Sequence, residues 1–229
     1  MIKEVIRFSL SNTPENSFIE GNMVIPDKPK GIVVFVHGSG SSKSSRRNQV
    51  VSEKLNDTNI ATLLFDLLSS KEQESDIHLA NIKSKIPGVI LNKFNIPLLT
   101  KRVSMATEWI MNNMLTSKLP IGYFASSTGG AAALIAASRY NISTIVIRSG
   151  RTDLVENQIL AQVVSPCLFI VGSKEREVVK ISKKTMKQLK NAKEKELVII
   201  ENASHLLENE DTVQDVAQIA SKWMLRNFV

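Results

Sequence analysis

Short apolar runs alternate with segments of helical spacing along most of the chain. The runs that predict strands cover residues 5–10, 17–25, 32–36, 60–65, 144–147, 167–171 and 197–200. Segments with helical apolar spacing predict helices over residues 47–56, 98–115, 154–163, 181–189 and 213–228. This rhythm predicts right-handed crossovers and an α/β fold, with a doubly wound, mostly parallel sheet covered by helices on both faces. In such sheets chemistry collects at the C-terminal ends of the strands.

Residues 69–96 interrupt the rhythm. Leu79, Ile82, Ile86 and Ile90 form a stripe of helical spacing, which Pro87-Gly88 breaks. Long connections in compact domains are often functional, so two interpretations stay open: a small lid over a pocket, or an excursion that packs on the surface. The length of 229 residues predicts a single domain over residues 1–229.

Composition narrows the classes of partner. The net charge is +7 with a pI of about 9.5, but no helix-turn-helix, zinc or RNP pattern accompanies the basic residues, so we expect a solvated basic face and no nucleic-acid partner. The N-terminus lacks an apolar signal core and no apolar run is long enough to span a membrane, so we expect a cytoplasmic protein without a membrane partner. The single cysteine, Cys167, lies in an apolar run and is predicted to be a small buried residue.

A candidate nucleophile lies where a strand meets a helix, in the stretch IGYFASSTGG at residues 121–130. A strand that turns at once into a helix strains the residue at the corner and requires small residues on either side of it. Ser127 satisfies this with Ala125 and Gly129 around it, although Ala125 departs from the usual glycine of G-x-S-x-G. Thr128 is a poor corner residue because it is β-branched. The alternative is a plain strand-turn-helix connection.

The glycine-rich loop after the strand 32–36 allows two interpretations. It does not match either nucleotide-binding motif. A P-loop would need glycines where His37 and Ser42 stand, and a dinucleotide fingerprint would need its third glycine where Lys43 stands. Asp66, after the next strand, could still bind a ribose. As an esterase-type loop it can direct the backbone N–H of Ser39, with that of Thr128, toward a developing oxyanion. His37 is then a structural residue of the loop.

A serine nucleophile needs a base, and the base needs an acid to orient it. His205 lies just past the last predicted parallel strand, whereas His78 lies in the irregular segment. The loop after the strand 167–171 offers Glu175 or Glu177 as the acid. The chain order Ser127, Glu175, His205 is that of the α/β-hydrolases.

With these residues in place, the chain resembles a compact α/β-hydrolase of the dienelactone-hydrolase-like type over nearly its whole length. The matching motifs are HGSG at 37–40, LLFDLL at 63–68, GYFASSTG at 122–129, Val171-Gly172 and Ala203-Ser204-His205. The resemblance implies an α/β-hydrolase fold with a sheet of about eight strands. It also implies a serine nucleophile at Ser127, a general base at His205 and hydrolysis of an ester-like bond.

The resemblance leaves the acid and the substrate open. Glu175 stands where family members commonly have aspartate, and Asp153, after the strand that ends at Arg148, is the second candidate for the acid. Dienelactone hydrolase proper uses a cysteine nucleophile, so its particular substrate does not transfer. The partner predicted is a small-molecule ester-like substrate, with no metal and no organic cofactor, and oligomeric state stays open. The alternative of another class is a non-catalytic binding module with the same fold, which Ala125 and Glu175 would favour.

Overall fold

Eight strands form one sheet in the computed structural model, which describes residues 1–10, 17–82, 88–205 and 209–228. The strands are β1 (Ile2–Ser9), β2 (Phe18–Ile25), β3 (Ile32–Val36), β4 (Ala61–Phe65), β5 (Ile121–Ser126), β6 (Thr144–Arg148), β7 (Cys167–Gly172) and β8 (Lys195–Ile200). Their order in the sheet is β1-β2-β4-β3-β5-β6-β7-β8. β1 and β2 form an antiparallel pair and β2 runs antiparallel to β4, whereas all pairings from β4 to β8 are parallel. The predicted fold class is confirmed.

Helices cover both faces of the sheet. They are α1 (Arg46–Asp57), α2 (Ser70–Ile82), α3 (Ile96–Asn112), α4 (Thr128–Ala137), α5 (Asn157–Leu160), α6 (Arg176–Gln188) and α7 (Glu210–Asn227). The apolar stripes of α1 and α7 pack with alternate strand residues such as Phe35 and Phe124. α3, α4 and α5 pack with the residues in between, such as Val34 and Tyr123, on the opposite face. Strands buried on both faces account for the nearly continuous apolar runs of β3 to β7.

The predicted helix over residues 154–163 is wrong in extent. The chain forms a 3₁₀ turn at Thr152–Leu154 and then the single turn of α5. Val155, Leu160 and Val163 are all buried, but five positions separate the first two, a spacing that does not place them on one face of a helix. The burial of these side chains therefore comes from separate turns.

The irregular segment contains one regular helix, α2. Ser69 and Glu72 form a capping box at its start: the Ser69 N–H donates to Glu72 Oε2 at 2.8 Å and the Glu72 N–H to Ser69 Oγ at 3.3 Å. Arg102 of α3 donates to Glu72 at 2.7 Å, and Asp76 accepts the backbone N–H groups of residues 92 and 93. These bonds tie one side of α2 to the domain. Ile86 and Pro87, part of the predicted stripe and its break, lie outside the described residues.

Candidate active site

Ser127 stands at a strained corner between β5 and α4. Its backbone angles are φ 50° and ψ −127°, in the half of conformational space that few residues other than glycine enter. Long-range bonds hold this conformation, because the N–H of Arg151 donates to the Ser127 carbonyl at 2.9 Å and the Ser127 N–H donates to the Arg148 carbonyl at 3.3 Å. These bonds fix Ser127 at the C-terminal edge of the sheet.

Two glycines allow the loop after β3 to pass close to this corner. A Cβ on Gly129 would lie 2.2 Å from the Val36 carbonyl oxygen and 2.5 Å from that of His37. A Cβ on Gly38 would lie 2.6 Å from Ser127 Cβ. Position 129 therefore needs a small residue for two reasons. One is the corner at Ser127, and the other is the close approach of α4 to the end of β3. The need for glycine at position 38 could not be inferred from the G-x-S-x-G pattern, which does not include that position.

His205 and Glu175 are neighbours at the ends of β8 and β7. His205 Nδ1 lies 2.5 Å from Glu175 Oε1. The Glu175 side chain is 6% exposed and that of His205 is 47% exposed, so the carboxylate is covered while the imidazole still reaches solvent. Burial on its own would raise the pKa of Glu175, but hydrogen bonds from His205 and Ser149 outweigh it and hold this pKa below its usual value. The Glu175 carboxylate is thus ionised and hydrogen-bonded to the imidazole.

The loop that carries His205 is bonded to the turn that carries Glu175. The N–H of Lys174 donates to the Ala203 carbonyl at 3.1 Å, and Ser173 Oγ accepts the Asn202 N–H at 2.9 Å. A Cβ on Gly172 would lie 2.4 Å from the Ala203 carbonyl oxygen, so only glycine lets the two segments meet. The Val171-Gly172 pair of the sequence motif therefore has a steric reason.

Ser149 is a residue of this site that the sequence analysis missed. It follows β6 directly, is 2% exposed and has a φ of 48°. Its hydroxyl donates to Glu175 Oε2 at 2.5 Å, and the Gly172 N–H donates to the same oxygen at 3.2 Å. Both carboxylate oxygens of Glu175 therefore have hydrogen-bond partners, Oε1 in His205 and Oε2 in Ser149 and Gly172. The one available signal was the position of Ser149 at a strand end.

The other acidic candidates lie elsewhere. Asp153 forms a two-pronged ion pair with Arg151, at 2.9 and 2.8 Å, and this hydrogen-bonded partner lowers the pKa of Asp153. Glu177 is exposed and pairs with Lys180. The structure thus brings Glu175, and neither of these, to His205. His78 is exposed on α2.

His37 has both ring nitrogens engaged within the loop. Its Nε2 accepts the Leu67 N–H at 3.0 Å, so the proton resides on Nδ1, which donates to the Gly38 carbonyl at 2.9 Å. Burial lowers the pKa of His37, which keeps the ring neutral. This ring connects the loop that carries Ser39 to the end of β4.

A cavity of about 210 Å³ exposes the corner to solvent. Its lining includes the serine of the corner and the imidazole, together with Ser39, Arg47 and Arg148. Burial, with the nearby charge of Arg47, lowers the pKa of Arg148 to about 10. Thr128 is the first residue of α4, where backbone N–H groups have no partner within the helix. Ser39 therefore lines the same cavity as Ser127, and Thr128 follows Ser127 directly in the chain.

The features considered for a nucleotide have other roles here. Lys43 donates to both carboxylate oxygens of Asp66, through its backbone N–H at 2.9 Å and its Nζ at 2.8 Å. Over the described ranges, no group of three or more His, Cys, Asp or Glu side chains is arranged to hold a metal ion. Nor does any described helix have the length and apolar character needed to cross a membrane.

Comparison with known proteins places this geometry in a family. No protein-family model matches the chain. It is similar to a crystal structure of dienelactone hydrolase from Anabaena variabilis, with 38% identity, a TM-score of 0.82, and coverage of 97% of this chain and 98% of that one. A carboxyl esterase from Bacillus coagulans shares the fold at 12% identity and a TM-score of 0.75, with both chains covered completely. The chain therefore belongs to the dienelactone-hydrolase-like group of α/β-hydrolases.

A curated relative from Mycobacterium tuberculosis has a different name. It is 38% identical over 209 residues, which cover 90% of this chain, and it carries the provisional name phosphoribosyl transferase. The chain spans 43% of that relative's length. The name describes a protein more than twice as long as the matched part.

Proposed function

We propose that this protein is a serine hydrolase that cleaves an ester-like bond through Ser127, His205 and Glu175. The observation that carries the proposal is the shared cavity: a serine held in a strained corner and a histidine oriented by a buried carboxylate line the same small space. In this assignment Ser127 is the nucleophile, His205 is the base and Glu175 is the acid that orients the base.

The chemistry follows from the groups present. His205 takes the proton of Ser127 as the hydroxyl oxygen attacks the substrate carbonyl, and the N–H groups of Ser39 and Thr128 stabilise the oxyanion. The imidazolium then protonates the leaving alcohol, which departs and leaves an acyl-enzyme. Water enters, gives a proton to the imidazole and attacks the acyl carbonyl, and Ser127 recovers its proton as the acid product leaves. Glu175 remains ionised and holds the imidazole in the Nδ1–H tautomer.

The activity in the mycobacterial relative's name has no comparable support in this chain. The strained serine after β5 supports hydrolysis, and the Asp66 carboxylate that could have bound a ribose is held by Lys43. Because the relative extends well beyond the matched part, we assign the name's activity to the longer protein and propose hydrolysis for this fold.

Hydrolysis of p-nitrophenyl esters and labelling by a fluorophosphonate test the proposal. Ser127→Ala is expected to abolish labelling and to lower kcat by about a million-fold, which leaves a residual rate about 10³–10⁴ above the uncatalysed reaction. Ser165→Ala is the control, because this buried serine donates to the Ile142 carbonyl and does not line the cavity of Ser127.

The acid is tested by a second pair of variants. Glu175→Gln removes the charge beside His205 and is expected to lower kcat by about four orders of magnitude, whereas Asp153→Asn should retain wild-type kcat. If the folded wild type ignores the fluorophosphonate and is as inert as Ser127→Ala on every ester, the serine hydrolase is refuted and a binding role with the same fold takes its place.

A further inference from the structure

A second, larger cavity lies beneath α2. Its volume is about 420 Å³, within the range of about 300–1,000 Å³ found for small-molecule sites. The end of β4, α2 and α3 supply its apolar lining, which consists of Leu67, Leu68, Ile77, Ala80 and Leu99. We call this cavity the α2 chamber.

The α2 chamber adjoins the cavity that contains Ser127. Residues Gly38, Ser39, Gly40 and Ser41 line both spaces. The loop that flanks the nucleophile is therefore also a wall of the chamber. A ligand extending from one space into the other would run along this loop.

Three polar side chains of the chamber already bond to backbone groups, and Ser39, Ser41 and Lys93 line it as well. Asp76 accepts the N–H groups of residues 92 and 93 at 2.6 and 2.9 Å, and Gln73 donates to the Leu68 carbonyl at 3.1 Å. His37 uses both ring nitrogens within its loop. These three side chains have little left to offer a polar ligand. The wall formed by Leu67, Leu68, Ile77, Ala80 and Leu99 is hydrocarbon, and Lys93 and the two serines are the polar groups that remain.

Ile77 is an apolar side chain at this wall that the protein itself does not cover. It is 67% exposed although it lines the chamber. An apolar ligand in the chamber would remove part of this surface from water, and each buried methylene contributes about 0.8 kcal/mol, a factor of about four in binding.

We propose that the α2 chamber binds the apolar part of the substrate, an unbranched hydrocarbon chain or an aromatic ring joined to the ester group that Ser127 attacks. This inference rests on the proposed function and adds the substrate class to it. An ester that is short on both sides, such as ethyl acetate, would leave the chamber empty, whereas a medium-length chain on either side would fill it.

Two ester series measure this preference: p-nitrophenyl esters from acetate to octanoate, and acetates of alcohols from ethanol to octanol. Whichever side of the ester enters the chamber, kcat/KM in one series is expected to rise by up to about fourfold per methylene until the chamber is full. A flat profile in both series would overturn the inference while leaving the proposed hydrolase intact.

Substitutions in the chamber locate the effect. Ile77→Gln makes the wall polar, and Ala80→Phe fills the space. In the series that shows the rise, each substitution should lower the ratio of kcat/KM for the longest ester to kcat/KM for the shortest by about fivefold or more, which is the contribution of one to two methylenes. Ile90→Gln is a matched control, because Ile90 is 69% exposed and does not line the chamber. An equal loss in Ile90→Gln would contradict the assignment.

A binding measurement decides the question without turnover. The neutral fluorophore N-phenyl-1-naphthylamine should bind the wild type and Ser127→Ala alike, because that substitution does not touch the chamber. Its affinity should fall at least about fivefold in Ile77→Gln and stay at the wild-type value in Ile90→Gln. No binding to the wild type, or equal binding to all variants, overturns the inference even if every ester is inert.

Discussion

Ser149→Ala removes one hydrogen bond from Glu175 and little else. Alanine and serine have similar difficulty in adopting the φ of 48°, so the change in backbone strain is small. The bond lost is 2.5 Å long and ends on a carboxylate that is 6% exposed, so solvent screens it weakly. Hydrogen bonds to charged groups contribute about 1.5–3 kcal/mol, and we expect this loss in the free energy of unfolding at pH 7.

Ser165→Ala is the matched comparison. Ser165 is also 2% exposed, and its hydroxyl donates at 2.6 Å to the Ile142 carbonyl, a neutral group before the start of β6, whereas Ser149 follows the end of that strand. Neutral hydrogen bonds contribute about 0.5–1.5 kcal/mol. The two variants therefore differ mainly in the charge of the acceptor.

Acidification separates the two variants. The pKa of Glu175 is held below its ordinary value of about 4.3 in the folded protein, so its ionised form adds stability above that pH and loses it as the pH falls through the lowered pKa. The destabilisation by Ser149→Ala should be full at pH 7 and shrink below about pH 4.3, while that of Ser165→Ala should stay constant.

Urea unfolding from about pH 7.5 down to about pH 3.5 measures both curves across that range. Parallel curves for the two variants would refute the reasoning, because the loss at position 149 would then not depend on the carboxylate. As a second readout, kcat/KM on the best ester should fall about 10- to 100-fold in Ser149→Ala and by less than about twofold in Ser165→Ala.

Further predictions concern steric fit and burial. Gly38→Ala should cost at least about 1–3 kcal/mol of unfolding free energy, because the new methyl group would overlap the Ser127 side chain. Gly40→Ala should lie within about 1 kcal/mol of wild type, since its Cβ would meet nothing within 4 Å; equal losses at both positions in urea titrations would contradict this difference in steric fit. Burial raises the pKa of the Cys167 thiol to about 12, so a disulfide reagent should label this cysteine only after unfolding, and rapid labelling of the native protein would contradict its burial.

The fold could be predicted largely because strand and helix signals are local. The apolar runs of β3, β5 and β7 are each buried on both faces, and this leaves a continuous pattern in the sequence. The fold prediction and the family resemblance are both confirmed. The predicted helix over residues 154–163 was too long because irregular apolar spacing was interpreted as periodic.

The site was predictable only where a strand end marks it. Ser127, Glu175 and His205 each follow a parallel strand, and general rules for such sheets bring these ends to one edge. The roles proposed for them stay predictions. The contact of Ser149 with Glu175 depends on a rotamer and on a backbone angle, and neither leaves a signal in a single sequence. The α2 chamber depends in the same way on how a weakly patterned helix packs.

The strain at Ser127 is balanced by groups that are distant in the chain. Residues in such conformations cost about 1–3 kcal/mol, and the bond that Arg151 donates to this corner belongs to the segment after β6. β5 itself pairs with β3, and two crossover connections separate the paired residues Ile32 and Ile121 along the chain. A fragment of β5 and α4 alone would lack these restraints and relax, and its serine would be an ordinary alcohol. The strained geometry at Ser127 is thus a product of the completed sheet, and a chain that has folded only in part would lack it.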